Sequence, residues 1–179
     1  MHDDEADSPF RHHPGEPGGL RDLREFQESR AFRELRDRSE LRDVVQTYAH
    51  GADRRKPDLV ASMFTPEGRL VIHRDPGSTE PPAVRTGREE IAKALASLER
   101  YLATTHLIAN QLVAFEPGGD RANAETYCTA HHIYESCGVR RDRVMSIRYL
   151  DTFARTDEGW RIETRTLHCD WVQDRPLTA

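Results

Sequence analysis

The sequence predicts an α+β fold: a strongly curved antiparallel or mixed sheet, with helices packed on its concave face. Three observations predict it. Helical periodicity is confined to the residues before about 104. A single strand-like run, RLVIHR at 69–74, falls between two helical stretches. After residue 104, four β segments follow one another, separated by turns. A sheet curved around helices makes a cone, and the enclosed pocket is the default place to look for function.

Each element has its own justification. Residues 1–19, MHDDEADSPFRHHPGEPGG, are rich in Pro, Gly, His and acids. They bury too little apolar surface to offset ordering entropy, so a disordered tail is expected. His12 and His13 in it are read as solvated rather than metal-binding. Residues 20–38 carry sparse Leu and Phe at helical spacing in a charged background, a helical extension with a thin apolar stripe. Ser39 is placed as the N-cap of the next helix and the start of the domain, which runs to 174; residues 175–179 form a short tail. Leu41, Val44, Val45, Tyr48, Ala49 and Ala52 make one apolar face, with Gly51 weakening the helix by about 1 kcal/mol relative to Ala. That helix is expected to end over 53–56. Pro57 suits the first turn of a short helix that turns Leu59, Val60, Met63 and Phe64 inward. TPEG then reads as a turn, and DPGSTEPPAVRTG after the strand as a loop.

Thr86 and Glu89 have the spacing of a capping box. The helix behind them has Ile91, Leu95, Leu98 and Leu102 on its buried side. The four β segments are 105–117, 122–136, 143–156 and 159–172, with EPGGDR and TDEG as turns.

Composition excludes several classes. A net charge of −5 argues against a nucleic-acid binder. No run approaches the roughly 18 apolar residues of a membrane helix, and the first residues lack a secretory apolar region. Cys128, Cys137 and Cys169 have no CxxC spacing, so reduced thiols in a cytoplasmic protein are the expectation.

Four stretches then carry a resemblance: YAHGADRRKPDLVASMFTPEG, TGREEIAKAL, THLIAN followed by AETYCTAHH, and RYLDTFARTDEGWRIETRTLHCDW. In their order and spacing they resemble the SnoaL-like branch of the NTF2-like superfamily, which includes scytalone dehydratase. The resemblance spans about 39–172. It implies a cone-shaped domain, no cofactor, a small-molecule substrate, and a homo-oligomer, either dimer or trimer. It also implies a site. By the scytalone dehydratase pattern, Asp53 at the helix end and His106 at the strand start face each other. A second His comes from the next strand, at His131 or His132.

That chemistry is coherent. A His partnered by an Asp can take a proton from carbon, and a second His can protonate a leaving hydroxyl or polarise an enolate oxygen. Strand parity places His132 with Thr126, Cys128 and Ala130, and His131 with Tyr127 and Ile133. The small residues beneath His132 favour it as the pocket-facing one. Tyr48, Asn110, Tyr149 and His131 are the substrate-contact candidates, Asn110 because four residues separate it from His106 on the same strand. His168, Cys169 and Asp170 are consecutive and cannot all face one ion, so no metal site is expected.

Three functions follow from this set. The first is a cofactor-free dehydratase, cyclase or isomerase acting on a hydroxylated cyclic or polyketide-like molecule. Asp53, His106 and His132 would be its catalytic residues. The second is an epoxide-opening enzyme, for which Asp53, Arg148 and Asp151 could be drafted, although Arg148 and Asp151 have opposite parity. The third is a non-catalytic binding or assembly subunit like those of ring-hydroxylating dioxygenases.

Overall fold

The computed structural model describes residues 18–73, 76–77 and 79–177, with side chains from residue 29 onward. The tail through residue 17, with His12 and His13, lies outside the described residues. The described residues fall into two compact units, divided between residues 36 and 37.

Helix α1 runs unbroken from Gly18 to Asp53. Ser39 is therefore not an N-cap but an interior residue. The reason lies in the preceding residues, which are mostly Arg, Glu and Leu with no Pro, so nothing stops the helix. Phe32 and Leu35, in the first unit, are exposed.

In the second unit, Leu41, Val44, Val45, Tyr48, Ala49 and Ala52 are all buried, as the periodicity requires. Helix α2 spans Pro57–Ser62 with Pro in its first turn. Strand β1 is Phe64–His73. TPEG is thus not a separate turn; it bulges out of β1 between Phe64 and Arg69. Part of the expected loop is strand β2, Ala83–Thr86, paired antiparallel to β1. Helix α3 is Arg88–Ala96, followed by a 3₁₀ turn at Ser97–Arg100. Its N-cap is Gly87 with no side-chain cap bond, because Thr86 is held in β2. Ile91 is buried, but Leu102 is 59% exposed, since the helix has ended before it.

Strands β3 (Ala103–Phe115), β4 (Arg121–Ser136), β5 (Val139–Thr156) and β6 (Gly159–Pro176) complete a sheet of order β2-β1-β6-β5-β4-β3. β1 and β6 are parallel; the other neighbours are antiparallel. The curved, open sheet packs its inner side chains on the apolar face of α1. Ala122, Ala124, Cys128 and Ala130 of β4 are small, which leaves room above them for the helix and for larger side chains.

The outer face carries exposed Leu107, Leu112, Leu150 and Trp171. His73 and His168 stack there with ring centroids 4.5 Å apart. Cys169 is buried, so HCD splits across the two faces as strand parity demands.

Candidate active site

The end of α1 and the start of β3 bring Asp53 to His106. The His106 ring Nδ1 and Asp53 Oδ1 lie 2.6 Å apart, and the His106 backbone N–H donates to Asp53 Oδ2 at 2.9 Å. Both carboxylate oxygens are therefore committed to one residue, which fixes the ring against the helix end. Burial pushes the Asp53 carboxyl up. The His106 ring, its backbone N–H, its charge and the Thr104 hydroxyl outweigh this and hold the carboxyl below its ordinary value.

His132 faces inward and is 7% exposed. It belongs to the even-numbered set of β4, with Thr126, Cys128 and Ala130, all buried. Its ring stands edge-on to His106 at 5.7 Å between centroids. Burial, then the charge of His106, pushes it down to about 4, so it is neutral at physiological pH. Its Nδ1 is buried without a hydrogen-bond partner. Asp53, His106 and His132 thus form one contiguous cluster.

His131 points the other way. Its Nδ1 bonds Asp142 Oδ2 at 2.9 Å, with Arg175 Nη2 at 3.5 Å from the same oxygen. It cannot contact a ligand held by His106 and His132, because neighbouring residues of a strand face opposite sides. This corrects its assignment to the substrate contacts.

Asn110 is also displaced. The pairing of β3 with β4 shifts between Ile108 and Gln111, a β-bulge over 109–110. The bulge reverses parity, so Asn110 is exposed and Gln111, Val113 and Phe115 take the inner face. The amide nitrogen of Gln111 is buried without a partner.

Tyr48 and Tyr149 are inside but deep. Their rings meet at 5.8 Å, and the Arg165 guanidinium lies over both, 4.2 Å from Tyr48 and 4.1 Å from Tyr149. Arg165 makes two bonds to Asp151, at 2.8 and 2.7 Å, with both side chains 0% exposed. Burial works against the guanidinium charge, but Asp151 outweighs it. Burial likewise raises the Tyr149 hydroxyl well above its usual range. That hydroxyl donates to Cys128 Sγ at 3.6 Å. Burial pushes the Cys128 thiol up to about 11, while Arg165 and Asp53 both act on it electrostatically. Cys128 therefore lies between the ion pair and the Asp53–His106 pair. Arg148 faces outward and bonds Asp170 at 2.9 Å, so Arg165 and not Arg148 is the partner of Asp151.

Three residues of the site were not anticipated. Tyr101 packs its ring on His132 at 4.7 Å. Thr104 is buried beside Asp53, and Arg55 donates to its Oγ1 at 2.7 Å. Thr104 had a readable signal, being two residues from His106 on the same strand face. Tyr101 and Arg55 lie in irregular segments where no periodicity applies. An open cavity of about 700 Å³ reaches the cluster from the side of Asp53, Tyr101 and Thr104, with His50, Arg54 and Glu99 on its walls. Among the described residues, no group of three or more His, Cys, Asp or Glu is gathered to hold a metal ion, and no helix is long and apolar enough to cross a membrane.

Several proteins are similar to this chain in sequence or in structure. An uncharacterized protein of Mycobacterium tuberculosis is 26% identical over 133 residues, covering 74% of this chain and 84% of that protein. A candidate scytalone dehydratase from Novosphingobium aromaticivorans superposes with a TM-score of 0.67 at 22% identity, covering 82% of this chain and 92% of the other. A protein from Kribbella flavida gives 0.67 at 23% identity, covering 78% and 95%. The hexachlorocyclohexane dehydrochlorinase type 3 of Novosphingobium barchaimii gives 0.66 at 16% identity, covering 80% and 92%. At these identities the structural likenesses establish an NTF2-like fold. Residues 33–166 match the SnoaL-like domain, so the chain belongs to the SnoaL-like family.

Proposed function

We propose that the protein is a cofactor-free lyase, cyclase or isomerase that removes a proton from carbon in a hydroxylated cyclic or polyketide-like small molecule. The observation that carries this reading is the two-point bond between Asp53 and His106, at 2.6 and 2.9 Å. An ionised carboxylate accepts only, so the ring proton sits on Nδ1 and Nε2 is left as the base. In a dehydration, Nε2 takes the proton as the C–H bond breaks. The electron pair forms the new double bond, and the C–O bond opposite breaks. The departing hydroxide takes a proton from the imidazolium and leaves as water.

His132, neutral through burial, acts as a hydrogen-bonding group toward the substrate oxygen rather than as a cationic acid. The Tyr101 ring packs against it, tilted by 54°, and limits its movement. The substrate approaches through the cavity beside Asp53. The epoxide-opening alternative needs a carboxylate free to activate water. Asp151 bonds Arg165 and Asp53 bonds His106, so neither is free.

The test is a panel of β-hydroxy ketones and hydroxylated cyclic ketones. Appearance of the conjugated product is followed by absorbance in the wild type, His106→Ala and Asp53→Asn. Loss of turnover in both variants, with circular dichroism unchanged, is expected. Full activity in both sinks the assignment. Binding without turnover anywhere in the panel favours the non-catalytic reading. Self-association is proposed through the outer sheet face, where Leu107, Leu112, Leu150 and Trp171 are exposed. Light scattering distinguishes monomer, dimer and trimer.

A further inference from the structure

Helix α1 closes with the Lys56 N–H on Gly51 O at 2.9 Å and the Arg55 N–H on Ala52 O at 3.4 Å. This is the helix end that glycine usually completes, because its terminal residue takes a left-handed backbone. Here that residue is Arg55, at φ 55°. A non-glycine residue in this region persists when its surroundings over-determine it. The guanidinium shows how. Nη1 faces Ala52 O at 2.9 Å, Asp53 O at 3.4 Å and Thr104 Oγ1 at 2.7 Å, while Nη2 faces Tyr101 O at 3.3 Å. Two of these oxygens belong to the helix that carries Asp53. The other two belong to the segment that carries Tyr101, Thr104 and His106. Because the Thr104 oxygen accepts from Arg55, its own hydrogen is left to donate to the Asp53 carboxylate, which it reaches.

We infer that Arg55 is a positioning residue whose guanidinium, acting through Thr104 and the Tyr101 carbonyl, locks Asp53 against His106 and Tyr101 against His132. The four-oxygen fork suits Arg and not Lys, whose ammonium is a compact point charge. The consequence for turnover rests on the Asp53–His106 pair being the reacting centre, but the test needs no turnover.

The experiment uses the full chain and carbon-13 NMR of the Asp53 carboxyl across pH, with the His106 ring N–H resonance as second signal. The variants are Arg55→Gly, Arg55→Lys, Thr104→Val and the Arg55→Gly/Thr104→Val pair. Arg55→Gly suits the left-handed backbone, so the fold survives and its unfolding midpoint stays or rises. Its Asp53 titration shifts upward, and the His106 N–H signal broadens or is lost. Thr104→Val shifts Asp53 in the same direction. The double variant shifts it by less than the sum, because Arg55 acts through Thr104. Arg55→Lys behaves like Arg55→Gly. An Arg55→Gly titration equal to wild type overturns the inference. So does an Arg55→Lys variant equal to wild type, or an additive double variant. A substrate panel that never turns over would sink the lyase reading while leaving these shifts as expected.

Discussion

Removing the negative half of the buried ion pair is the most exacting perturbation of this fold. Asp151→Asn keeps the shape of the side chain but leaves the Arg165 charge in place, with 0% of its side chain exposed and no route to water. Two charge-assisted bonds, at 2.8 and 2.7 Å, are weakened together. Breaking one partner of such a pair costs about 3–5 kcal/mol. The Tyr48 and Tyr149 rings, 4.2 and 4.1 Å from the guanidinium, remain. Their cation–π attraction, up to about 2 kcal/mol when desolvated, puts the expectation at the lower end, about 3–4 kcal/mol. At about 2–4 °C per kcal/mol this is a fall of roughly 6–16 °C in Tm. Urea unfolding should show a lower midpoint at unchanged slope. Asp151→Leu/Arg165→Met removes both charges and should recover to within about 2 kcal/mol of wild type. A loss under about 1 kcal/mol for the single variant refutes the reasoning, as does a double variant no better than the single one.

Three further predictions follow from the same structure. His132 takes a proton near 6.5 when unfolded but only at about 4 when folded, so unfolding takes up protons between these values. Its contribution to stability is therefore present above about pH 6.5 and lost as pH falls toward 4, by roughly 3 kcal/mol. His132→Gln should flatten that slope in pH-dependent urea unfolding, and an unchanged slope counts against the assignment. Gly51→Ala gains about 1 kcal/mol in helix propensity, but its new Cβ would meet Val60 Cγ2 at 2.8 Å, inside a fully buried contact. Overpacking of about 1–3 kcal/mol makes the variant neutral to destabilised; a thermal melt showing clear stabilisation would contradict the contact. Cys137 is exposed, whereas Cys128 is buried with its thiol raised to about 11. Alkylation at pH 8 followed by mass spectrometry should label Cys137 quickly and leave Cys128 unmodified; rapid labelling of Cys128 would show that the interior opens.

The sequence carried the fold well because its signals were local and repeated. The apolar face from Leu41 to Ala52 and the alternation along β4 each recur over many residues, so each is legible without knowing the partner. His132 was separable from His131 for the same reason: the small residues at 126, 128 and 130 record the inner face. What escaped depended on single backbone events. Asn110 was misplaced by one bulge that no residue type announces. The capping box at Thr86 failed because a four-residue strand claims that threonine, and so short a strand has no period to read. Arg165 was missed because a lone arginine on a strand reads as solvated until its partner across the sheet, Asp151, is known. Arg55 and Tyr101 act through backbone oxygens and ring contacts, which leave no trace in spacing.

The bulge at 109–110 also makes the sidedness of β3 depend on pairing rather than residue type. Gln111, Val113 and Phe115 face the interior because residues 109 and 110 together fill the place opposite Tyr127, which keeps Gln111 opposite Thr126. Pairing the two one to one would turn Leu112 and Ala114 in, and Val113 and Phe115 out over solvent. Deleting either bulged residue would leave a regular ladder in the same register, with the same residues inside. His106, upstream of the bulge, would keep its place. Substitutions at 109 and 110, and loss of one of the two, should therefore be tolerated, whereas a deletion further along the strand should not. The two ends of one strand are free to diverge independently: the His106 end in chemistry, the far end in how Val113 and Phe115 pack on the core.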